Sequence, residues 1–330
     1  MGRNQVVSER GDETFESQQS GDAEVLARVR ALLVPLLRGD PPSDDTDIID
    51  AGMVDSLGLI ELLVGIESEF QIQLELEELD LDDFRSIRAL ARTIEGAGGS
   101  GHARVPAATS AKTEDSGQPP ARVFRSLVHE DELDSFIDPA LAWVHDAGQP
   151  YFDWFFGSPD VATRTLAEWM RRPSSEVYAG RLTTLVEDGR AIGGFIALGG
   201  ADLESSRKAD AVAAIKAAGR EGLAGLEERL REGQGLFAPV GHEDFYLSKI
   251  GVIGDLRGRG HGRAMMDQFF ALGLEHSFRR FRVDVWAGNE GAIRFYRGFG
   301  FELIAESTSA GAEMTYLAMT LEKEVSSAGR

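Results

Sequence analysis

Residues 287–301 read Ala-Gly-Asn-Glu-Gly-Ala-Ile-Arg-Phe-Tyr-Arg-Gly-Phe-Gly-Phe. A helix is predicted over Glu290–Arg297, and a strand over Phe281–Trp286 comes directly before it. Further upstream, a strand pattern over Phe245–Ile253 is followed by a helix pattern over Gly260–Phe278. A second glycine-rich stretch, Leu256-Arg257-Gly258-Arg259-Gly260-His261-Gly262, joins those two elements. Glycines at a strand-to-helix junction let the backbone approach a ligand closely, so this stretch is a candidate binding loop.

Other strands and helices are predicted around this region. A hairpin is indicated by Thr183–Glu187 and Ala191–Leu198 around the turn residues Asp188-Gly189. The remaining predicted elements are a strand over Val123–Val128, helices over Asp131–Asp146 and Asp160–Arg171, one or two helices over 203–233, and strands over Phe301–Ser307 and Glu313–Leu321.

Two spacings in this half of the chain resemble the GCN5-related N-acetyltransferase (GNAT) family. The first is Arg257-x-x-Gly260-x-Gly262, placed between a strand and a helix. The second is formed by Asn289, Ala292, Phe295, Tyr296, Gly300 and Phe301. The resemblance covers residues 121–323. It implies an α+β fold with a mixed central sheet, an acyl-CoA donor and N-acyltransferase activity.

The resemblance also implies a donor site. Successive N–H groups at a helix N-terminus hold a pyrophosphate, and Asn289 would contact the pantetheine of the same donor or form part of the wall beside it. The residues implied for the pyrophosphate and pantetheine arm are Arg257, Gly258, Arg259, Gly260, His261, Gly262 and Arg263. The backbone N–H of Val252 or Ile253 would polarise the acyl carbonyl. Tyr296 would be the general acid, since a phenol can protonate the leaving thiolate.

The general base and the acceptor site are less specified. Glu243, with Asp244 next, is the candidate base, because the family often places a carboxylate just before its central strand. The aromatic stretch 149–156 suggests acceptor contacts from Tyr151, Asp153 and Trp154, with core packing as the alternative. The segment 203–240 is longer than the family's usual connection. It is interpreted as a lid, a docking surface or a neutral insertion. No metal site is predicted.

The N-terminal part has a different pattern. Apolar residues at helical spacing predict helices over 22–38, 56–70 and 87–94, with a short element over 74–84. Four helices in this length form a small all-α bundle. Asp55-Ser56-Leu57 opens the second helix, and together with the bundle it resembles an acyl carrier protein over residues 21–96. The resemblance implies that a phosphopantetheinyl transferase attaches 4′-phosphopantetheine to Ser56.

Charge and composition exclude several classes of function. The net charge is −21, which argues against nucleic-acid binding. Residues 21–96 hold 18 Asp and Glu against 6 Arg, so more than half of the excess lies there. That excess either steers the two domains together or only keeps the protein soluble. The chain has no cysteine, no apolar run long enough for a membrane span, and no apolar signal core near the N-terminus. We therefore expect a cytoplasmic protein.

The predicted domain layout follows from these patterns. Residues 1–20 are expected to be a disordered lead-in, 21–96 the carrier, 121–323 the transferase and 324–330 a tail. Residues 97–120 are rich in Gly, Ser and Pro and are predicted to be a flexible linker. A random coil of about 24 residues spans roughly 27 Å, so the carrier's effective concentration at the transferase would be about millimolar.

The fusion allows several functions. The favoured one is acyl transfer from acyl-CoA to the amine of a substrate held on the Ser56 arm, in biosynthesis of the polyketide or nonribosomal-peptide type. The arm's thiol could instead accept the acyl group, or the arm's thioester could be the donor to a free amine. A catalytically idle scaffold is the non-enzymatic alternative, and the intact loop and Tyr296 argue against it. The expected partners are the phosphopantetheinyl transferase and the enzymes that load the carrier or act downstream, with no nucleic acid and no membrane.

Overall fold

The computed structural model describes residues 23–37, 39, 43–49, 51–76, 79–96, 123–126 and 132–323. The chain divides into two compact units, Met1–Arg104 and Val105–Arg330. The lead-in, linker and tail expected from the sequence lie outside the described residues, so those boundaries stay predictions. No helix among the described residues is long and apolar enough to cross a bilayer.

The first unit is helical, as expected. Its elements are α1 over 23–33, α2 over Ser56–Phe70 and α3 over Ile87–Gly96, with 3₁₀ turns at Val34–Leu36 and Leu81–Phe84. The third predicted element is thus a single 3₁₀ turn among the described residues. A reciprocal capping box fixes it, because Asp80 and Asp83 each accept from the other's backbone. The core is a continuous set of aliphatic side chains that includes Leu33, Ile60, Leu63 and Ile87.

The second unit is a seven-stranded mixed sheet covered by helices. The strands are β1 (Val123–Ser126), β2 (Leu182–Glu187), β3 (Arg190–Gly199), β4 (Asp244–Val252), β5 (Arg280–Trp286), β6 (Glu302–Ser309) and β7 (Met314–Glu322). The helices are α4 (Leu133–Ala147), α5 (Tyr151–Phe156), α6 (Pro159–Trp169), α7 (Gly200–Gly233), α8 (His261–Glu275) and α9 (Glu290–Arg297). The strand order is β1-β2-β3-β4-β5-β7-β6, and only β4 and β5 are parallel. The predicted α+β fold with a mixed central sheet is confirmed.

Most elements coincide with the prediction. The hairpin turn at Asp188-Gly189 has positive φ at both residues, which suits this dipeptide and explains why the signal was strong. Helix α5 was not predicted, because six aromatic-rich residues are too few to show a helical period. The long segment 203–233 forms α7, which consists of two helical stretches joined at a kink at Gly219, where φ is 59°.

The feature that positions the site is the separation of β4 from β5. Their parallel pairing runs from Asp244–Arg280 to Leu247–Val283 and then stops. At that point β4 carries a bulge, since Ala197 pairs with Leu247 and Ile196 with Lys249. Ser248 is the extra residue, and a bulge bends its strand. The two central strands therefore diverge beyond Leu247.

The sheet buries an apolar core on one face, against α8 and α9. Phe245 and Phe281 come from the strands and Phe269 from α8, with ring centroids 5.2 and 5.3 Å from that of Phe269. Phe195 on β3 adds an edge-to-face contact with Phe269 at 6.0 Å. This aromatic cluster holds α8 on the sheet just before the strands diverge.

We predict that Phe269→Ala destabilises the second unit by about 3–5 kcal/mol, because it empties a fully buried site among other rings. Urea unfolding followed by tryptophan fluorescence measures this unit alone, since Trp143, Trp154, Trp169 and Trp286 all belong to it. Leu274→Ala on the exposed side of α8 is the control and should cost under about 1 kcal/mol. Equal losses in the two variants would contradict the packing described.

Candidate active site

A cavity of about 670 Å³ opens where β4 and β5 diverge. Its wall combines the end of β4, the glycine loop, β5 and α9. The sequence-predicted residues that line it are Val252, Arg257, Gly258, Gly260, His261, Gly262, Arg263, Asn289 and Tyr296. Ile253, Arg259, Glu243, Asp244, Tyr151, Asp153 and Trp154 do not line it. The structure thus brings both sequence motifs to one cavity.

The glycine loop has the shape that an anion site needs. Gly258 and Gly260 have φ of 79° and 80°, the left-handed region that favours glycine. Gly260 is also the N-cap of the 15-residue helix α8, whose first N–H groups have no partner within the helix. A Cβ at Gly262 would lie 3.2 Å from the Phe295 ring. The loop therefore keeps its backbone bare at the start of a helix, as a pyrophosphate site requires.

His261 gives independent support for a ligand at this loop. Its side chain is 2% exposed and lines the cavity. Neither ring nitrogen has a hydrogen-bond partner among the described residues. Buried polar atoms are normally satisfied, so an orphaned imidazole at a helix start fits a polar ligand group there. The residues present therefore fit the phosphate and pantetheine groups of an acyl-CoA.

The three loop arginines differ in what they contact. Arg257 forms an ion pair with Asp146 on α4, and its Nε donates to the Val252 carbonyl at 3.2 Å. Arg263 lines the cavity and lies over the Phe299 ring, 5.2 Å from its centroid. Arg259 is exposed outside the cavity wall. Arg257 therefore ties the loop to α4 and β4. Arg263 is the loop cation that faces the cavity without an ion pair to a carboxylate among the described residues.

Tyr296 and Asn289 both come from the α9 motif. Asn289 Oδ1 accepts from the Ala292 N–H at 3.0 Å, so it caps the helix that carries Tyr296. Tyr296 is 5% exposed, and burial raises the pKa of its phenol well above the usual value. The phenol therefore keeps its proton at neutral pH, which a general acid must do before the leaving group departs.

The two candidate carbonyl-polarising N–H groups are not equivalent. Ile253 donates its N–H to the Ile192 carbonyl of β3 at 3.0 Å, so that group is already used. Val252 pairs with Gly193 at a position where no ladder bond is made, and its N–H points away from β3. Val252 is therefore the one of the pair whose N–H faces the gap between β4 and β5.

Glu243 and Asp244 lie at the other end of β4. Asp244 is buried and ion-paired with Arg280, and it accepts from the Gly241 N–H at 2.6 Å. Glu243 is 66% exposed and contacts the same arginine at 2.8 Å. Asp244 and Val252 are eight positions apart on the strand, which is a distance of about 26 Å. Both carboxylates thus fix the start of β4, and their placement does not support a role as general base.

The α5 residues are placed in packing contacts. The Tyr151 ring stacks on Phe155 at 5.4 Å and meets Phe237 edge-on at 5.0 Å. Trp154 packs in the same cluster. Asp153 Oδ1 is 2.8 Å from His145 Nε2, which locks α5 to α4. Tyr316 belongs to the same cluster as Tyr151 and Trp154, and it lines the cavity, whereas the α5 side chains do not. The α5 side chains therefore pack behind the cavity wall.

The second unit contains a buried polar network that the sequence does not predict. It lies on the sheet face opposite the aromatic core, and its links are hydrogen bonds between residues distant in sequence. Tyr246 donates to Asp284 at 3.1 Å, and Arg207 of α7 donates to Tyr246 at 3.2 Å. Arg207 also pairs with Glu176 at 3.2 Å. Ser248 donates to Glu176 at 2.6 Å, and Lys249 lies 3.4 Å from it.

The network separates its carboxylates electrostatically. Burial alone would raise the pKa of Glu176, but Lys249 and Arg207 outweigh it and lower the pKa to about 2. Burial raises the pKa of Asp284, although Arg207 and Arg282 oppose the rise. Asp284, Ser248 and Lys249 line the cavity, whereas Glu176 does not. One carboxylate is therefore a fixed anion, and the other is a basic group facing the cavity.

The carrier motif begins α2. Ser56 is the first residue of that helix, and the preceding Asp55 accepts from the Gly58 N–H at 3.0 Å. A serine at a capped helix start fits a phosphodiester, because the helix N-terminus favours negative charge. Two acidic side chains of α2 make contacts within the same unit. Glu67 accepts from the Leu74 N–H at 2.8 Å, and Glu69 forms an ion pair with Arg28 at 3.0 Å.

We predict that Glu176→Gln lowers the free energy of unfolding at pH 7 by about 3 kcal/mol, since each unit of pKa difference is worth about 1.4 kcal/mol. The native pKa lies below the unfolded value of 4.5, so this stability is present above pH 4.5 and is lost as pH falls toward 2. Urea unfolding should show a smaller difference in the free energy of unfolding between the wild type and the variant at pH 3 than at pH 7. Glu302→Gln on exposed β6 is the control, and a gap that stays constant with pH would refute the assignment.

The two family matches cover both units. The model for the acetyltransferase (GNAT) family matches residues 143–301, and the model for the phosphopantetheine attachment site matches residues 27–94. The D-alanyl carrier protein of Streptococcus pyogenes serotype M5 (strain Manfredo) is 39% identical over 51 residues, which is 16% of this chain. The match spans 65% of that carrier's length.

Two solved structures show a likeness to this chain. One, an acetyltransferase, is 19% identical, and the match covers 61% of this chain and 100% of that protein, with a TM-score of 0.42. An N-acetyltransferase from Staphylococcus aureus Mu50 is 13% identical and covers 60% and 100%, with a TM-score of 0.41. With the two family matches, the chain joins a carrier domain of the phosphopantetheine attachment-site family to an acetyltransferase domain of the GNAT family.

Proposed function

We propose that the protein is an N-acyltransferase of natural-product biosynthesis, in which an acyl-CoA donates an acetyl or related acyl group to the amine of a substrate tethered to the carrier domain. One observation carries the proposal: a single cavity joins the glycine loop, the free Val252 N–H and the buried phenol of Tyr296, on a chain that also bears a carrier attachment motif.

The donor end of the cavity supports an acyl-CoA. The α8 start and the bare glycine backbone suit a pyrophosphate, and His261 offers an unpaired ring nitrogen to the adjoining groups. An intact loop of this kind is needed when CoA itself is the donor. A transferase fed only by its carrier would need a phosphate site for the arm alone, so the complete loop favours transfer from CoA.

The reacting centre supports acyl transfer to nitrogen. The Val252 N–H would stabilise the oxyanion that forms when an amine attacks the thioester carbonyl. The Tyr296 phenol would protonate the thiolate that leaves. Both groups act on charge that develops only during the reaction, so each contributes to the rate more than to substrate binding.

The acceptor is proposed from the fusion and from the carrier's relatives. A phosphopantetheine arm on Ser56 would supply a thiol that holds a substrate as a thioester. The relative named above is a D-alanyl carrier protein, and an alanyl thioester presents a free amine. We therefore take an aminoacyl group as the tethered substrate. The proposal requires a phosphopantetheinyl transferase and an aminoacyl-loading enzyme as partners.

The test follows acetyl transfer by intact-protein mass spectrometry. The full chain is converted to its phosphopantetheine form, loaded with an alanyl group and mixed with acetyl-CoA. An acetyl mass gain is expected on the alanyl-loaded protein. Tyr296→Phe should slow that gain by about 100-fold, because it removes the acid and leaves the packing ring.

Two controls separate the proposal from its alternatives. The Ser56→Ala protein should acquire neither the phosphopantetheine arm nor an acetyl group. Acetyl gain on the bare arm would instead show loading of its thiol, and loss of the alanyl group to an added amine would make the carrier the donor. Equal rates for Tyr296→Phe and the wild type would remove Tyr296 from the mechanism.

A further inference from the structure

The acceptor amine arrives as an ammonium ion, so a base must face the reacting centre. Among the described residues that line the cavity, the carboxylates are Asp146 and Asp284. Asp146 is 58% exposed and ion-paired with Arg257 at the surface. Asp284 is 2% exposed and lies on β5 just beyond the point where β4 separates from it. Position alone therefore favours Asp284.

The sheet geometry places Asp284 across from the acid. Side chains alternate along β5, so Asp284 shares a face with Arg282, whereas Val283 and Val285 point into the core that contains Tyr296. Asp284 thus approaches the gap between the strands from the face opposite to Tyr296. A thioester in that gap would have the acid on one side and this carboxylate on the other.

The hydrogen-bond network holds this carboxylate in place. Tyr246 donates to Asp284 Oδ2 at 3.1 Å, and Arg207 supports Tyr246 at 3.2 Å. Arg282 Nη2 lies 3.5 Å from Oδ1, too long for a strong bond. Oδ2 is therefore anchored, while Oδ1 makes only this long contact among the described residues.

We propose that Asp284 is the general base that accepts the proton of the acceptor ammonium, and that Tyr246 is its positioning residue. This inference rests on the proposed function. It replaces Glu243 and Asp244, which are bound to Arg280 at the far end of β4. Glu176 does not compete for the role, since its cationic partners keep its pKa near 2 and it does not line the cavity.

The proton balance of the step is complete. The ammonium gives one proton to Asp284, and the neutral nitrogen attacks the thioester carbonyl carbon. The C–N bond forms, the C–S bond breaks, and the thiolate takes the phenol proton of Tyr296. The second nitrogen proton restores the phenol, and Asp284 releases its proton to solvent. The net products are an amide, a thiol and one proton.

The charged neighbours set the direction of the pH dependence. Burial raises the pKa of Asp284, and the cations and the Tyr246 bond lower it. Its charged or titratable neighbours come from five parts of the unit. They are Tyr246 on β4, Arg282 on β5 itself, Arg207 on α7, Glu176 after α6 and Tyr316 on β7. The carboxyl must be ionised to act, so activity should be lost as pH falls through its pKa.

The experiment measures the single-turnover rate of acetyl transfer against pH, using the alanyl-loaded full chain and, separately, free alaninamide. Asp284→Asn should lower the rate at pH 7 by about 100-fold or more. The wild-type rate should level off once Asp284 is ionised. The variant's rate should keep rising until the pH reaches the pKa of the amine. The difference in rate between the wild type and the variant should therefore narrow at alkaline pH.

Tyr246→Phe tests the positioning role without removing the base. Losing the donated hydrogen bond raises the pKa of Asp284, so the ascending limb of the rate profile should move to higher pH. Asp267→Asn on the exposed side of α8 is the matched control and should leave the profile unchanged. Calorimetric binding of acetyl-CoA and urea unfolding show whether each variant is folded and binds the donor.

The outcomes separate this inference from the function on which it rests. A folded Asp284→Asn protein that binds acetyl-CoA and keeps the wild-type rate profile overturns the assignment of Asp284 alone. A loss of rate of the same size at every pH would also overturn it. A missing base no longer matters once the amine is deprotonated at alkaline pH, whereas a structural defect lowers the rate at every pH. Wild-type protein that acetylates neither the tethered amine nor alaninamide overturns both proposals.

Discussion

The end of the β4–β5 pairing is the constraint on which the site depends. Interior strands of a sheet normally use their N–H groups in the ladder, and here the ladder stops at Leu247–Val283. The bulge at Ser248 bends β4 away, which leaves the Val252 N–H without a strand partner on that side. The same divergence makes room for the cavity and lets side chains from both sheet faces reach it.

The two faces of the sheet are chemically different, and the proposed acid and base use that difference. On one face Tyr296 lies among aromatic rings, so its phenol stays protonated. On the other face Asp284 lies among hydrogen-bonding and charged groups, where burial raises the pKa of its carboxyl and Arg207 and Arg282 oppose the rise. The apolar surroundings of Tyr296 suit a proton donor, and the polar surroundings of Asp284 suit a proton acceptor. A single apolar pocket would not distinguish the two groups in this way.

The sequence predicts what is encoded locally. Helix α9 has the predicted bounds, and the glycine loop lies at the start of α8, because both depend on residues close together in the chain. The Asp284 site depends on Tyr246, Arg207 and Glu176, which only the fold brings together. Its one sequence signal is the charged pair Arg282 and Asp284 inside a strand. The choice of Glu243 followed the family's frequent carboxylate before the central strand, and this residue lies at the end of β4 away from the cavity.

Helix α7 supplies the charge that this arrangement needs. Burying Asp284 and Glu176 without a cation would cost several kcal/mol for each charge. Arg207, on the first half of α7, bonds to Glu176 and to Tyr246. The left-handed residue Gly219 then redirects the helix, and Arg229 on its second half donates to the Phe155 carbonyl of α5. The extra length of this segment therefore has a structural role, because its first half balances the buried carboxylates and its second half fastens α5.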